Sequence, residues 1–229
     1  MNGKKVFYSE LAYILGIIIL ALGTAMMERA DFGMSMVVAP AYLVHLKVSQ
    51  VFPAFSFGMA EYCLQAVLLI GIAIIIHKVK LKYFLSFLTA IFYGFTLDLA
   101  IRMIGLIPDG SFVGRIVFYV LGMVLCSIGV SLLFHTYISP EAYELLVKEV
   151  SAKYGKDIHK TKTVYDCCSC FVAVLLSFVF FGFGHFEGIK FGTIICAVIN
   201  GTCIGFCSKI MESRFYFKDA LKLRDFFDR

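Results

Sequence analysis

The chain has 229 residues, of which 60 % are hydrophobic and only 16 % charged, with a mean hydropathy of +0.87. A water-soluble domain of this size could not cover so much apolar surface, so the composition excludes one and points to an all-α polytopic membrane protein. The net charge of +5 reads as membrane topology and gives no reason to expect nucleic acid. No nucleotide-binding glycine loop, HExxH or GxSxG pattern occurs, which argues against an ATP-driven pump in this chain alone and against an enzyme, a cofactor or a metal centre.

Hydropathy predicts six spans, roughly 9–27, 57–76, 83–107, 112–134, 163–183 and 190–210, each near the ~20 residues a bilayer requires. Lys4 and Lys5 precede the first, but Met26–Glu28 offers no small-residue cleavage site, so the span is expected to be retained. Residues 13–25, YILGIIILALGTA, return as YVLGMVLCSIGVS at 119–131, with Tyr13, Leu15, Gly16 and Gly23 falling on Tyr119, Leu121, Gly122 and Gly129 at a constant offset of 106. Glycine weakens an apolar helix unless another backbone must come close, so the two stretches predict two equivalent packing seams. Glu61 and Cys63 in span two resemble Asp166 and Cys167 in span five, while Ser86, Ala90 and Gly94 match Thr193, Ala197 and Gly201 at an offset of 107. The expected domain is a single one over 1–229, made of a first repeat (9–107), a second (112–210) and a tail (211–229). Three spans per repeat is an odd number, so the copies must enter the membrane in opposite senses, an architecture recurrent in secondary transporters.

Between spans one and two, Asp31-Phe32-Gly33-Met34-Ser35-Met36 leads into an apolar segment, Val37 to Val44, too short to cross. It is expected to be interfacial or re-entrant. Its counterpart begins at Ser139-Pro140-Glu141, a good helix start, and runs to about Tyr154 before Gly155. The charges Lys148, Glu149 and Lys153 make that helix amphipathic, and it is expected along the cytoplasmic surface, where 139–155 offers a possible protein-partner site. The tail from Phe215 to Arg229 mixes Phe and Lys/Arg and reads as an interfacial helix. With the N-terminus inside, sixteen Lys and Arg residues fall on the cytoplasmic side and five outside. That bias predicts a multi-pass protein of the inner (plasma) membrane, its partner the lipid bilayer and both termini cytoplasmic.

Ionisable residues at membrane depth usually face a cavity or a partner. Asp98 and Arg102, four apart, share a helix face and suit either a mutual ion pair or a gate. Glu61 and Asp166 occupy matching places near the starts of oppositely directed spans, which predicts carboxylates at opposite mouths of one pathway rather than one shared site. Asn200 joins Cys196, Cys203 and Cys207 in a single stripe on span six. The cysteines read as small packing residues, and the histidines form no ligand spacing. Candidate substrate-binding or gating residues are therefore Glu61, Asp98, Arg102, Asp166, Asn200, Gly33 and Ser35.

Gly33–Ser35, Ser139-Pro140, Gly192-Thr193 and Gly94 followed by Asp98 resemble the pattern of the YczE/YyaS/YitT group of bacterial integral membrane proteins over essentially the whole chain. The first-half turn departs from it, since Ser35 is followed by Met36 and proline comes only at Pro40. The expected function is transport of an unknown small solute by alternating access between inverted repeats. The alternative is a non-transporting membrane partner or a substrate-binding subunit of a multi-protein complex.

Overall fold

A computed structural model describes residues 4–77, 81–108, 111–182, 189–221 and 224. The basic flank residues Lys78 and Lys80 and the tail residues Lys222, Phe226, Phe227 and Arg229 lie outside these. Among the described residues the chain forms eight helices and one pair of strands: β1 (Lys5–Tyr8), α1 (Ser9–Ala30), α2 (Ala39–Val48), α3 (Phe57–Ile76), α4 (Leu81–Gly105), α5 (Phe112–Phe134), α6 (Ala142–Tyr154), α7 (Ile158–Phe181), α8 (Phe191–Arg214) and β2 (Phe215–Lys218). Six of the helices are long and apolar enough to cross a bilayer. The chain is thus a multi-pass helical membrane protein. Its outward faces carry large apolar side chains such as Ile70, Phe95, Phe171 and Val198, as a lipid-facing surface requires, while polar side chains gather inside.

The glycine repeat explains the central contact. α1 and α5 run antiparallel, with Gly23 against Gly122 and Gly16 against Gly129. A Cβ on Gly23 would lie 2.7 Å from the Gly122 carbonyl oxygen, and one on Gly122 would lie 2.7 Å from the Gly23 carbonyl oxygen. The contact is therefore crosswise and self-complementary, each repeated stretch using its two glycines against the opposite two of its copy. Around this axis the packing partners correspond. α1 packs on α4 as α5 packs on α8; α3 lies on α4 as α7 lies on α8; α2 and α6 each pack against both α3 and α7.

Two expectations are corrected. α6 does not lie along a surface: Ala142, Tyr143, Glu144, Leu145, Val147, Glu149 and Ser151 are buried, and only residues 152–155 at its end are exposed. Its charges carry their own counter-ions inward, Glu144 meeting Lys162 and Glu149 meeting Lys82, so an amphipathic pattern does not here mean a water-facing side. The first part of the tail is a strand, not a helix. Phe215 and Phe217 alternate with Tyr216 and Lys218 at period two, and β2 pairs in parallel with β1 in the register Lys5 with Phe215. Phe7 packs on both phenylalanines at 5.4 and 5.7 Å between ring centroids.

This pairing puts both ends of the bundle's chain together, hereafter the terminal side. Glu10 accepts from Tyr137 Oη at 2.7 Å and from the Ala220 and Leu221 amides, and Asp219 accepts from Ser9 at 2.8 Å. Hydrogen bonds from Arg224 hold the Asp219 carboxyl below the ordinary carboxylate range. A lowered folded-state pKa means the linked stability is present at neutral pH and is lost as pH falls through that lowered value. Limited proteolysis is therefore expected to cut after β2 more readily in acid than at pH 7, and Asp219→Asn should reduce the pH dependence to the part carried by Glu10.

Candidate functional site

The approach to α6 is fastened from two sides. Ser86 and Thr89 of α4 donate to the carbonyls of Pro140 and Ser139 at 2.6 and 2.9 Å, and Tyr13 of α1 bonds Thr89 at 2.6 Å. A helix start leaves backbone N–H groups without partners. Here Gln65 of α3 supplies one acceptor, taking the Ala142 N–H at 3.0 Å while its amide donates to Glu141 at 3.2 Å. α6 thus begins in the protein interior, held by α1, α3 and α4.

Beyond that start lies a cluster of buried charges. Glu61, Glu141, Glu144 and Asp166 are at most 2 % exposed, and the single cation among them, Lys162, is 1 % exposed. Lys162 Nζ lies 3.1 Å from Asp166 and 3.3 Å from Glu144; the Asp166 pair is one helical turn apart on α7. Asn200 of α8 donates to Asp166 at 3.3 Å and accepts from Ser127 of α5 at 3.4 Å. Tyr143 donates to Glu61 Oε2 at 2.9 Å. Four carboxylate oxygens, Glu61 Oε1, Glu141 Oε1, Glu144 Oε2 and Asp166 Oδ1, are buried without a hydrogen-bond partner, and of these Asp166 Oδ1 is met by the Lys162 ion pair. Leaving a charged oxygen unmet at such depth is costly.

Glu141, Glu144, Lys162 and Asn200 line a cavity of about 20 Å³ with Thr24 of α1, Ser35 and Tyr93 of α4, room for roughly one water-sized group. Val37 and Val38, the last residues before α2, join the wall with Leu20 of α1, Cys126 and Val130 of α5 and Tyr143 of α6. The N-terminal ends of both short helices therefore reach the same cavity, α2 from the side opposite the termini and α6 from the terminal side. On the terminal side a larger cavity of about 350 Å³ ends at Ser139 and Pro140.

The expected site residues separate into three groups. Asp166, Asn200 and Ser35 come together here. Glu61 joins them through Tyr143, so the expectation of carboxylates at opposite mouths is corrected: both Glu61 and Asp166 are at 0 % exposure, because α6 enters between α3 and α7 and draws them inward. Asp98, Arg102 and Gly33 lie elsewhere. Asp98 accepts from Ser56 Oγ at 2.6 Å and from the Gly58 N–H at 2.9 Å, and so ties down the start of α3. Arg102 is exposed, and among the described residues it forms no ion pair with Asp98. Gly33 sits at φ +111°, where a Cβ would strike Thr193; Lys190 and Arg115 pin the same turn through Asp31 at 2.6 and 3.1 Å. Asp98→Ala is expected to cost about 1–2 kcal/mol in thermal unfolding by removing the acceptor of the Gly58 N–H and the Ser56 hydroxyl at the start of α3.

Sequence reasoning missed Lys162, Glu141, Glu144 and Tyr143. Lys162 counted as an inner-flank cation because the fifth span was started at 163, whereas Asp157 caps α7 by accepting from His159 and Lys160 and so sets the helix start ahead of Lys162. The available signal was the i, i+4 spacing of Lys162 and Asp166, the one acidic residue of α7. All eight cysteines are free, and among the described residues no three His, Cys, Asp or Glu side chains are placed to hold a metal ion.

Residues 7–209 match the model of a family described as "Family of unknown function (DUF6198)". The chain belongs to this family. The description names no activity and does not mention the YczE/YyaS/YitT group. No curated protein and no solved structure is significantly similar to the chain. The DUF6198 match spans every element from α1 to most of α8, so the buried cluster lies wholly within the family's segment.

Proposed function

We propose that this protein is a secondary transporter of a small solute, built as two inverted three-helix repeats that give access to one central site from alternate sides of the inner membrane. The observation that carries the reading is the cavity itself: a polar, charge-lined space inside an otherwise apolar bundle, walled by α1, the approach to α2 and α4 of the first half and by α5, α6, α7 and α8 of the second. Four further observations support it: the crosswise glycine contact, the corresponding packing partners, the two short helices reaching the cavity from opposite sides, and the paired termini. Half-helices meeting at a repeat interface are how many transporters build a site at membrane depth. The excess of basic residues on the terminal side supports a cytoplasmic position for that side. Kinship with the YczE/YyaS/YitT group belongs to the same proposal. A docking role for 139–155 is less favoured, because most of α6 is already covered.

Reconstitution tests this directly. Purified protein in liposomes should mediate counterflow of at least one small charged or polar solute, and Glu144→Gln should suppress it. An absence of flux across amines, amino acids, organic anions and monovalent cations overturns the reading. For topology, a C-terminal green fluorescent protein fusion should fluoresce and an alkaline phosphatase fusion at the same point should be inactive.

A further inference from the structure

The cluster is short of positive charge. Four carboxyl groups face one ammonium, and crediting the starts of α2 and α6 with about half a positive charge each still leaves a deficit of about two. Charges of this kind do not persist unmet in a low-dielectric interior. The deficit must be filled by protons on the carboxyl groups, by a bound cation, or by both. Thr24 and Tyr93 around the cavity are neutral hydroxyls, Cys126 and Asn200 are uncharged, Tyr143 and Tyr165 are phenols, and Lys162 is already shared between Glu144 and Asp166; Lys148, one turn along α6 from Glu144, acts on it only through the field and donates instead to the Leu133 carbonyl at 3.4 Å. None supplies the missing charge.

The unmet oxygens mark where a ligand would sit. Glu141 Oε1 and Glu144 Oε2 are buried, lack partners, and belong to residues lining the cavity. Lys162 displays the chemistry this site accepts, an ammonium held between two carboxylates at 3.1 and 3.3 Å. A metal ion suits the site less well, since among the described residues no three acidic, His or Cys side chains are placed to hold one. On the terminal side, the cations along the route inward are engaged: Lys82 is paired with Glu149, His135 with Glu212 and Arg224 with Asp219, while Lys148 donates to the Leu133 carbonyl and lies over the Phe134 ring.

We infer that the central cavity binds a small ammonium-type cation in exchange for a proton, with Glu141 and Glu144 as the exchanging carboxyl groups. A carboxylic acid O–H breaks, its proton leaves to water, and the cation's N–H donors take the vacated oxygen, so the buried charge is unchanged by the swap. Binding is then linked to pH, and transport through such a site exchanges cation for proton. The inference rests on taking the cluster as the solute site.

Isothermal titration of the detergent-purified, full-length protein with ammonium and with methylammonium, in two buffers of different ionisation enthalpy, reads the protons released per cation bound. The expected value is close to one, with affinity rising about tenfold per pH unit while the exchanging group is protonated. Sodium and potassium serve as comparison cations and should bind at least tenfold more weakly. The variant Glu141→Gln/Glu144→Gln should lose both binding and proton release; Glu141→Asp should keep the release. Binding without proton release overturns the inference, as does no binding of either amine (water only in the cavity), or unchanged binding in the folded double variant. Proteoliposome flux is read separately. Flux of a solute without proton counterflow sinks the exchange but not the transporter, whereas proton-linked binding without flux sinks the transporter but not the site.

Discussion

Lys162→Met is expected to destabilise the protein more than any other single side-chain change in the cluster. Among the described residues the ammonium is the only cation in ion-pair contact with the four buried carboxyl groups, and removing one partner of a buried ion pair costs about 3–5 kcal/mol. For a chain of this length that corresponds to a fall in melting temperature of roughly 10 °C. The chain contains no tryptophan, so unfolding is best followed with a thiol-reactive dye, to which Cys126 and Cys196 are buried in the folded state. The triple variant Lys162→Met/Glu144→Gln/Asp166→Asn removes the orphaned charges together and should recover most of the loss. A Lys162→Met melt within 2 °C of the parent would mean that the carboxyl groups are neutral without it, and the charge argument would fail.

The second large effect is steric. Gly23→Leu and Gly122→Leu each drive a side chain into the facing helix backbone: a Cβ on Gly23 meets the Gly122 oxygen at 2.7 Å and the Cys126 nitrogen at 2.8 Å. Backbone cannot rotate away, so the cost should reach or exceed the upper end of the ~1–3 kcal/mol usual for overpacking. Gly129→Leu belongs in the same class, its Cβ lying 2.8 Å from the Leu20 nitrogen. Gly16 is softer, since the nearest atoms, at 3.0 Å, belong to the Leu133 side chain. Gly71 has nothing within 4 Å, and Gly71→Ala should gain up to about 1 kcal/mol from helix propensity. The order of melting temperatures across these variants tests whether the repeated glycines are a seam or ordinary helix residues. Equal effects at Gly23 and Gly71 would refute the seam.

Much of the fold was legible because its causes are local or periodic. A span is written as a run of apolar residues, and the glycine repeat announces a close helix contact wherever the partner lies. The spans at 57–76 and 112–134 have the bounds of α3 and α5. The start of α7 was misplaced by five residues because an Asp cap in a charged stretch outweighs hydropathy there. The site was only half legible. Asp166, Asn200, Glu61 and Ser35 stand out as polar groups in or beside apolar runs, whereas Glu141 and Glu144 sit in a stretch whose mixed charge reads as a wet surface.

What the sequence by itself determined is the number of spans, the doubled glycine seam and the identity of several polar residues placed where lipid would otherwise be. These follow from hydropathy and spacing, which act over one helix at a time. Only the tertiary structure decided that α6 turns inward, that Lys162 leaves the basic flank to face Glu144 and Asp166, and that the tail's first residues pair with the N-terminus. Each depends on a counter-charge or an unpaired backbone edge supplied by a distant segment, and no local pattern encodes whether that partner will be there.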